Sequence, residues 1–123
     1  MLAVVREAAR ALGFEPAVRF EGLIDSSVPP RVHEELVPTL REALSNVAKH
    51  AQASHVTVSL ALEGDRLELR VADDGRGLTG GVTGGRGLAN MTERAARLGG
   101  GCTVRRDPGG GTVLEWHVPL TRH

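Results

Sequence analysis

Apolar positions along this 123-residue chain change period several times, and each change marks an element. Leu2, Val5, Ala9 and Leu12 recur at helical spacing and stop at Gly13, which predicts a helix over residues 2–12. Ala17 to Glu21 is a short strand candidate, and Ser26 to Pro30 reads as a loop. From Pro30 to Ala51 the stripe Leu36, Leu40, Leu44, Val47, Ala51 predicts a long helix. Pro38 interrupts its hydrogen-bond ladder and is expected to kink or restart it. Period two then takes over: Val56, Val58, Leu60 and Leu62 alternate, Glu63-Gly64-Asp65 turns, and Leu67, Leu69 and Val71 alternate back.

A third helix follows Gly87, with Leu88, Met91, Ala95 and Leu98 on one side, and Gly99-Gly100-Gly101 closes it. Cys102 to Arg106 and Thr112 to Val118 form a last hairpin, with Thr112, Leu114, Trp116 and Val118 sharing a face before Pro119. Helices first, then strands mixed with helices, predict a two-layer α/β sandwich: a mixed, largely antiparallel sheet of about five strands, covered on one face by about three helices.

Composition adds mainly exclusions. Fifteen basic and fifteen acidic residues cancel, which recommends neither nucleic acid nor an anionic membrane surface as partner. Three aromatic residues (Phe14, Phe20, Trp116) are too few for a base-stacking platform. The single cysteine, Cys102, excludes an internal disulfide and, within a strand, reads as a small core residue rather than a reactive thiol. No run approaches the roughly 18 apolar residues of a membrane span.

Chemistry concentrates in glycine-rich and polar clusters. Asp73-Asp74-Gly75-Arg76-Gly77 ends a strand on a carboxylate, and Gly84-Gly85-Arg86-Gly87-Leu88 opens a helix. Glycines admit close backbone approach, and a helix start offers unpaired N–H groups to an anion, so a phosphorylated ligand is indicated. The chain lacks a Gly-x-x-x-x-Gly-Lys-Ser/Thr loop. Asn90 stands where the third glycine of a dinucleotide fingerprint belongs, and no βαβ unit surrounds it. Asp73-Asp74 lacks the spaced ligands of an EF-hand, and His33-Glu34 lacks the second histidine of a zinc-protease helix.

On the long helix Glu42, Asn46, Lys49 and His50 share a face away from the apolar stripe. That face is either plainly solvated or a place where a carboxylate and a carboxamide hold hydrated Mg²⁺ while Lys49 or His50 reaches phosphate oxygens. Asp73-x-Gly-x-Gly is either a turn or an acceptor for a ligand amine such as that of adenine, and glycines 80, 81, 84 and 85 are either linker or lid, the lid expected to be mobile without nucleotide.

The order of these segments carries a resemblance. Residues 42–51, EALSNVAKHA, resemble the N-box of the ATP-binding domain of bacterial two-component histidine kinases. Residues 71–78, VADDGRGL, resemble the G1 box, and residues 85–94, GRGLANMTER, the G2 box of the nitrate-sensor-type subfamily. Residues 109–112, GGGT, resemble the final glycine-threonine element. The likeness covers about residues 1–120. It implies the Bergerat fold, with ATP and Mg²⁺ as ligands: Asn46 on Mg²⁺, Lys49 and His50 facing the phosphates, and Asp73 on the adenine amine. Gly75 and Gly77 would shape the adenine pocket, Gly85 and Gly87 would form the lid hinge near the phosphates, Leu88 would join the ATP site, and Thr112 would complete the adenine-side network. Glu42 matches the water-activating residue of related ATPases.

The same likeness implies a cytoplasmic, ATP-dependent protein histidine kinase whose parent is soluble or membrane-anchored. Partners would be the phosphoacceptor and dimerisation domain of the same kinase and, indirectly, a response regulator; no nucleic acid and no direct membrane contact are implied. All five histidines lie within or after the ATP-binding segment, so residues 1–123 are expected to be an excised, monomeric catalytic domain that starts at Met1 and lacks its phosphoacceptor. Such a domain is expected to bind nucleotide and barely turn it over. A stand-alone anti-sigma-factor-type serine kinase of the same fold and a non-catalytic interaction module are the alternatives.

Overall fold

A computed structural model describes residues 2–21, 28–48, 54–75, 86–108 and 110–120. They form helices α1 (Leu2–Leu12), α2 (Pro30–Asn46) and α3 (Arg86–Arg97) and strands β1 (Ala17–Glu21), β2 (Val56–Glu63), β3 (Arg66–Asp73), β4 (Gly101–Arg106) and β5 (Thr112–Pro119). The strands make one sheet in the order β1-β2-β3-β5-β4. β1 runs parallel to β2, and the other pairs are antiparallel. Three helices over a mixed five-stranded sheet is the expected α/β sandwich.

Alternation decides which face is covered. Val56, Val58 and Leu60 of β2, Leu67, Leu69 and Val71 of β3, and Trp116 and Val118 of β5 are buried in one core with Val32, Leu36, Leu40 and Leu44 of α2. Residues of the opposite parity on β2 and β3, such as Glu68 and Arg70, stay at least partly accessible, whereas Val113 on β5 is buried. Burying the apolar face is the main stabilising contribution, because each large side chain gains about 1.5–3 kcal/mol on leaving water. Cys102 is half-buried against this core, and burial pushes its thiol up to about 11. No described helix is long and apolar enough to cross a membrane.

Of the kink or restart expected at Pro38, the restart does not occur, and α2 passes through the proline. The proline removes only the N–H that would bond the Glu34 carbonyl, on an exposed residue, while Leu36, Thr39 and Leu40 are pinned in the core. The α-helical ladder runs to Asn46, and residues 49–51 of the helix expected to reach Ala51 lie outside the described residues. The Val47 N–H is shared between the Ala43 and Leu44 carbonyls, and the ladder widens into a π-type turn over residues 47–48. α3 ends in a Schellman motif: Gly100 N–H donates to the Ala95 carbonyl at 2.8 Å, and Gly99, at φ +84°, donates to that of Ala96 at 3.0 Å.

Candidate nucleotide site

The C-terminal half of α2, the end of β3, the start of β5 and the middle of α3 meet around one pocket of about 30 Å³. Its walls are apolar, from Ala43, Val47, Val71, Met91 and Leu114. Three polar side chains break that lining: Asn46, Asp73 and Thr112. A mostly apolar concavity with a few converging polar groups is the general form of a small-molecule site.

Asp73 and Thr112 are cross-strand partners at the ends of β3 and β5. Asp73 is 9% exposed, and its Oδ1 accepts the Gly75 N–H at 2.8 Å. Burial raises its pKa; the Gly75 N–H opposes that, the Asp74 charge adds to it, and the Thr112 N–H opposes it again. The carboxylate is thus held in the pocket against its own desolvation. Thr112 is 7% exposed, and its Oγ1 is buried with no hydrogen-bond partner among the described residues. An orphaned hydroxyl beside a buried carboxylate fits a ligand or water that completes both.

Gly111 builds this corner. Its φ is +92°, and a Cβ there would lie 1.9 Å from the Asp73 carbonyl oxygen. Only glycine lets the 110–112 turn lie this close to β3.

At the other end, α3 begins on top of α2. A Cβ on Gly87 would stand 2.9 Å from Asn46 Nδ2 and 3.4 Å from the Glu42 carboxyl carbon. Glu42 and Asn46, four residues apart on α2, therefore present their side chains together at the first turn of α3. Two oxygen donors one turn apart suit a hydrated cation that takes few protein ligands. Trp116 Nε1 donates to the Met91 carbonyl at 3.0 Å in the core, which ties the middle of α3 to the sheet.

Of the residues expected at the site, Asn46, Asp73 and Thr112 share the pocket, Gly75 bonds Asp73, and Glu42 and Gly87 pack at Asn46. Leu88 is half-buried in α3 and does not line the pocket. Lys49, His50, Gly77, Gly85 and the expected lid over residues 78–84 lie outside the described residues. Sequence reasoning missed Met91 and Leu114 as pocket walls, since their spacing marked them only as core. It also left Asp74 without a role. Its Oδ1 accepts the N–H groups of Ser54 and His55, both at 2.8 Å, and its Oδ2 lies 3.0 Å from His55 Nδ1. Adjacent aspartates thus serve two faces, one the pocket and one the start of β2.

Comparison with known proteins gives the family and the fold. Residues 32–122 match the family described as histidine kinase-, DNA gyrase B-, and HSP90-like ATPase. The chain is 33% identical over 117 residues to the sensor histidine kinase YxjM of Bacillus subtilis, covering 95% of this chain and 29% of that protein. It is 40% identical over 104 residues to the nitrate/nitrite sensor protein NarX of Escherichia coli, covering 78% and 17%. It therefore spans less than a third of the length of these curated relatives. Among solved structures, the ATP-binding domain of PrrB from Mycobacterium tuberculosis superimposes with a TM-score of 0.69 at 22% identity, covering 98% of this chain and 90% of that one. A blue-light activated histidine kinase of Erythrobacter litoralis gives 0.76 at 21%, covering 96% and 43%.

Proposed function

This chain belongs to the family of histidine kinase-, DNA gyrase B-, and HSP90-like ATPases, and from that premise we propose that it is the ATP-binding catalytic domain of a two-component sensor histidine kinase. The observation that carries the reading is the pairing of the buried Asp73 carboxylate with the partnerless Thr112 hydroxyl on an apolar pocket. Asp73 accepts the exocyclic amine of adenine, Thr112 Oγ1 completes that hydrogen-bond network directly or through water, and Val71 and Leu114 supply apolar surface to the base. Gly75 shapes the adenine end, and Gly77 extends it.

The triphosphate lies toward the first turn of α3, where Gly87 leaves room beside Asn46 and where Gly85 and Leu88 border the lid hinge. Asn46, with Glu42 beside it, would hold Mg²⁺, and Lys49 and His50 would serve the phosphate oxygens. When bound, Mg²⁺ supplies charge neutralisation as the terminal phosphoryl group departs. The γ-phosphorus exchanges its bond to the bridging oxygen for one to an imidazole nitrogen on the phosphoacceptor domain of the kinase, and ADP leaves. A response regulator then takes the phosphoryl group. Chemistry of this kind depends on positioning and charge more than on covalent help from the protein. We place the domain in the cytoplasm. Within the family, the relatives named sensor histidine kinases support the kinase reading.

Calorimetric titration of the chain with ATP, with and without Mg²⁺, tests the proposal. Binding that strengthens with Mg²⁺ and collapses in Asp73→Asn is expected. Equal binding by both proteins would remove Asp73 from the site, and no binding by either would remove the nucleotide.

A further inference from the structure

Helices α2 and α3 touch at two places a fixed distance apart. At one, Gly87 lies against Glu42 and Asn46. At the other, Arg94 Nη1 reaches Glu35 Oε1 at 3.1 Å and Arg97 Nη1 reaches Glu35 Oε2 at 3.3 Å. From Glu42 back to Glu35 and from Gly87 forward to Arg94 are the same seven residues, about 10.5 Å of helix. The helices therefore run antiparallel in one register, and a shift of one turn would break both contacts.

Between the two contacts sits the Trp116–Met91 hydrogen bond, four residues from Gly87 and three from Arg94. It makes a pivot. The core holds Met91 and Ala95 at 0% exposure, so the middle of α3 stays put whatever happens at its ends. The direction of its first turn is set beyond Met91, where Ala95 is buried and Arg94 and Arg97 hold Glu35. Glu35 is suited to that task. Its side chain is only 14% exposed, and two guanidinium groups converge on it. Its own helix position is held by Leu36 and by Thr39, whose hydroxyl donates to the Glu35 carbonyl at 2.7 Å.

We infer that Glu35 is a positioning residue for the phosphate end of the nucleotide: by gripping Arg94 and Arg97 it sets α3 about the Met91 pivot and so holds the Gly87 turn against Asn46. It touches no ligand. The inference extends the nucleotide reading given above and assigns Glu35 a role outside the glycine-rich and asparagine-containing motifs. The adenine end, built on β3 and β5, meets α3 at Met91, the pivot itself.

The test is NMR on Glu35→Gln, which keeps the shape and removes the charge. In the nucleotide-free protein the Gly87 amide and the Asn46 side-chain amide resonances shift, while those of Asp73 and Gly75 stay. Mg·ATP affinity falls about fivefold, in the range by which residues remote from a site modulate it. Adenosine, which lacks phosphates, binds within twofold of the unaltered chain. Glu35→Asp recovers part of the loss. Unmoved Gly87 and Asn46 resonances, or an equal loss for adenosine and ATP, would overturn the inference and leave Glu35 a stabilising ion pair only. If Glu35→Gln does not fold, Arg94→Lys, which keeps the charge and loses the fork, is read by the same signals. Failure of the unaltered chain to bind ATP or adenosine would sink the nucleotide reading itself, and the Gly87 and Asn46 shifts, taken without nucleotide, still decide the positioning role.

Discussion

Gly87 meets Asn46 so closely that a single added carbon would stand 2.9 Å from the amide nitrogen, across a gap of 41 positions in sequence. Gly87→Ala sets two effects against each other. Alanine favours a helix over glycine by about 1 kcal/mol, while the intruding methyl meets the free end of a side chain that can rotate away. Stability is expected to change by less than about 1 kcal/mol. The displaced carboxamide no longer holds Mg²⁺, so Mg·ATP affinity falls about tenfold, the equivalent of one lost hydrogen bond. A thermal melt beside a calorimetric titration separates the two, and unchanged affinity would remove Asn46 from the phosphates.

Asp73 is expected to trade stability for binding. Its folded-state pKa is raised above the usual 3.8, so the fold takes up its proton more readily than the unfolded chain. Its contribution is fully present below the unfolded value and is lost as pH rises through the folded one. At neutral pH the ionised group therefore works against the fold. Asp73→Asn, which can still accept the Gly75 N–H, is expected to melt higher than the unaltered chain at pH 7, with the gap closing toward pH 4. ATP affinity is expected to fall about 10- to 100-fold, since a hydrogen bond to a charged acceptor is lost. Melting curves across pH check the first part and titration the second.

The elements were legible because periodicity is local: the shift from 3.6 to 2 at Val56 and back at Gly87 marks boundaries that the structure keeps. The end of α2 was not, since the same residues continue the apolar stripe while the backbone passes into a π-type turn over residues 47–48. Asp73 and Thr112 were legible as members of motifs. Their pairing across β3 and β5, the orphaned Thr112 hydroxyl and the seven-residue register of α2 against α3 are products of tertiary packing between distant segments. Motif order says that such residues belong to one site and picks out Asp73; it says nothing of what Asp74 does for the start of β2.

Thr112→Val removes a hydroxyl that has no partner among the described residues and keeps the shape. Without nucleotide the variant is expected to be more stable by about 1 kcal/mol, the lower end of the penalty for a buried unsatisfied group. With ATP it binds more weakly, and combining it with Asp73→Asn costs less than the two single losses together, because both act on one network. Additive losses in such a cycle would show that the two side chains serve the ligand separately.

Gly110 and Gly111 separate strain from collision. Both have positive φ, +101° and +92°, but a Cβ on Gly110 meets nothing within 4 Å while one on Gly111 lies 1.9 Å from the Asp73 carbonyl oxygen. Gly110→Ala is expected to lose about 1–2 kcal/mol from backbone strain alone. Gly111→Ala must also push β5 from β3 and loses more than about 3 kcal/mol. Denaturant unfolding of the pair measures the difference, and equal losses would show that the hairpin relaxes without disturbing Asp73.

Asp74 is the control for its neighbour. The His55 N–H and ring, followed by the Ser54 N–H, hold its pKa down to about 2 against the usual 3.8. A depressed folded pKa contributes stability above the unfolded value that is lost as pH falls toward the folded one, so the window is about pH 4 to 2, opposite in sign to that of Asp73. Asp74→Ala is expected to melt lower than the unaltered chain at pH 7, and the difference shrinks on acidification through that window. Its carboxylate faces Ser54 and His55 rather than the pocket, so ATP affinity in the folded variant stays within about threefold, a shift under 1 kcal/mol. A loss as large as that of Asp73→Asn would mean that the start of β2 is part of the binding site.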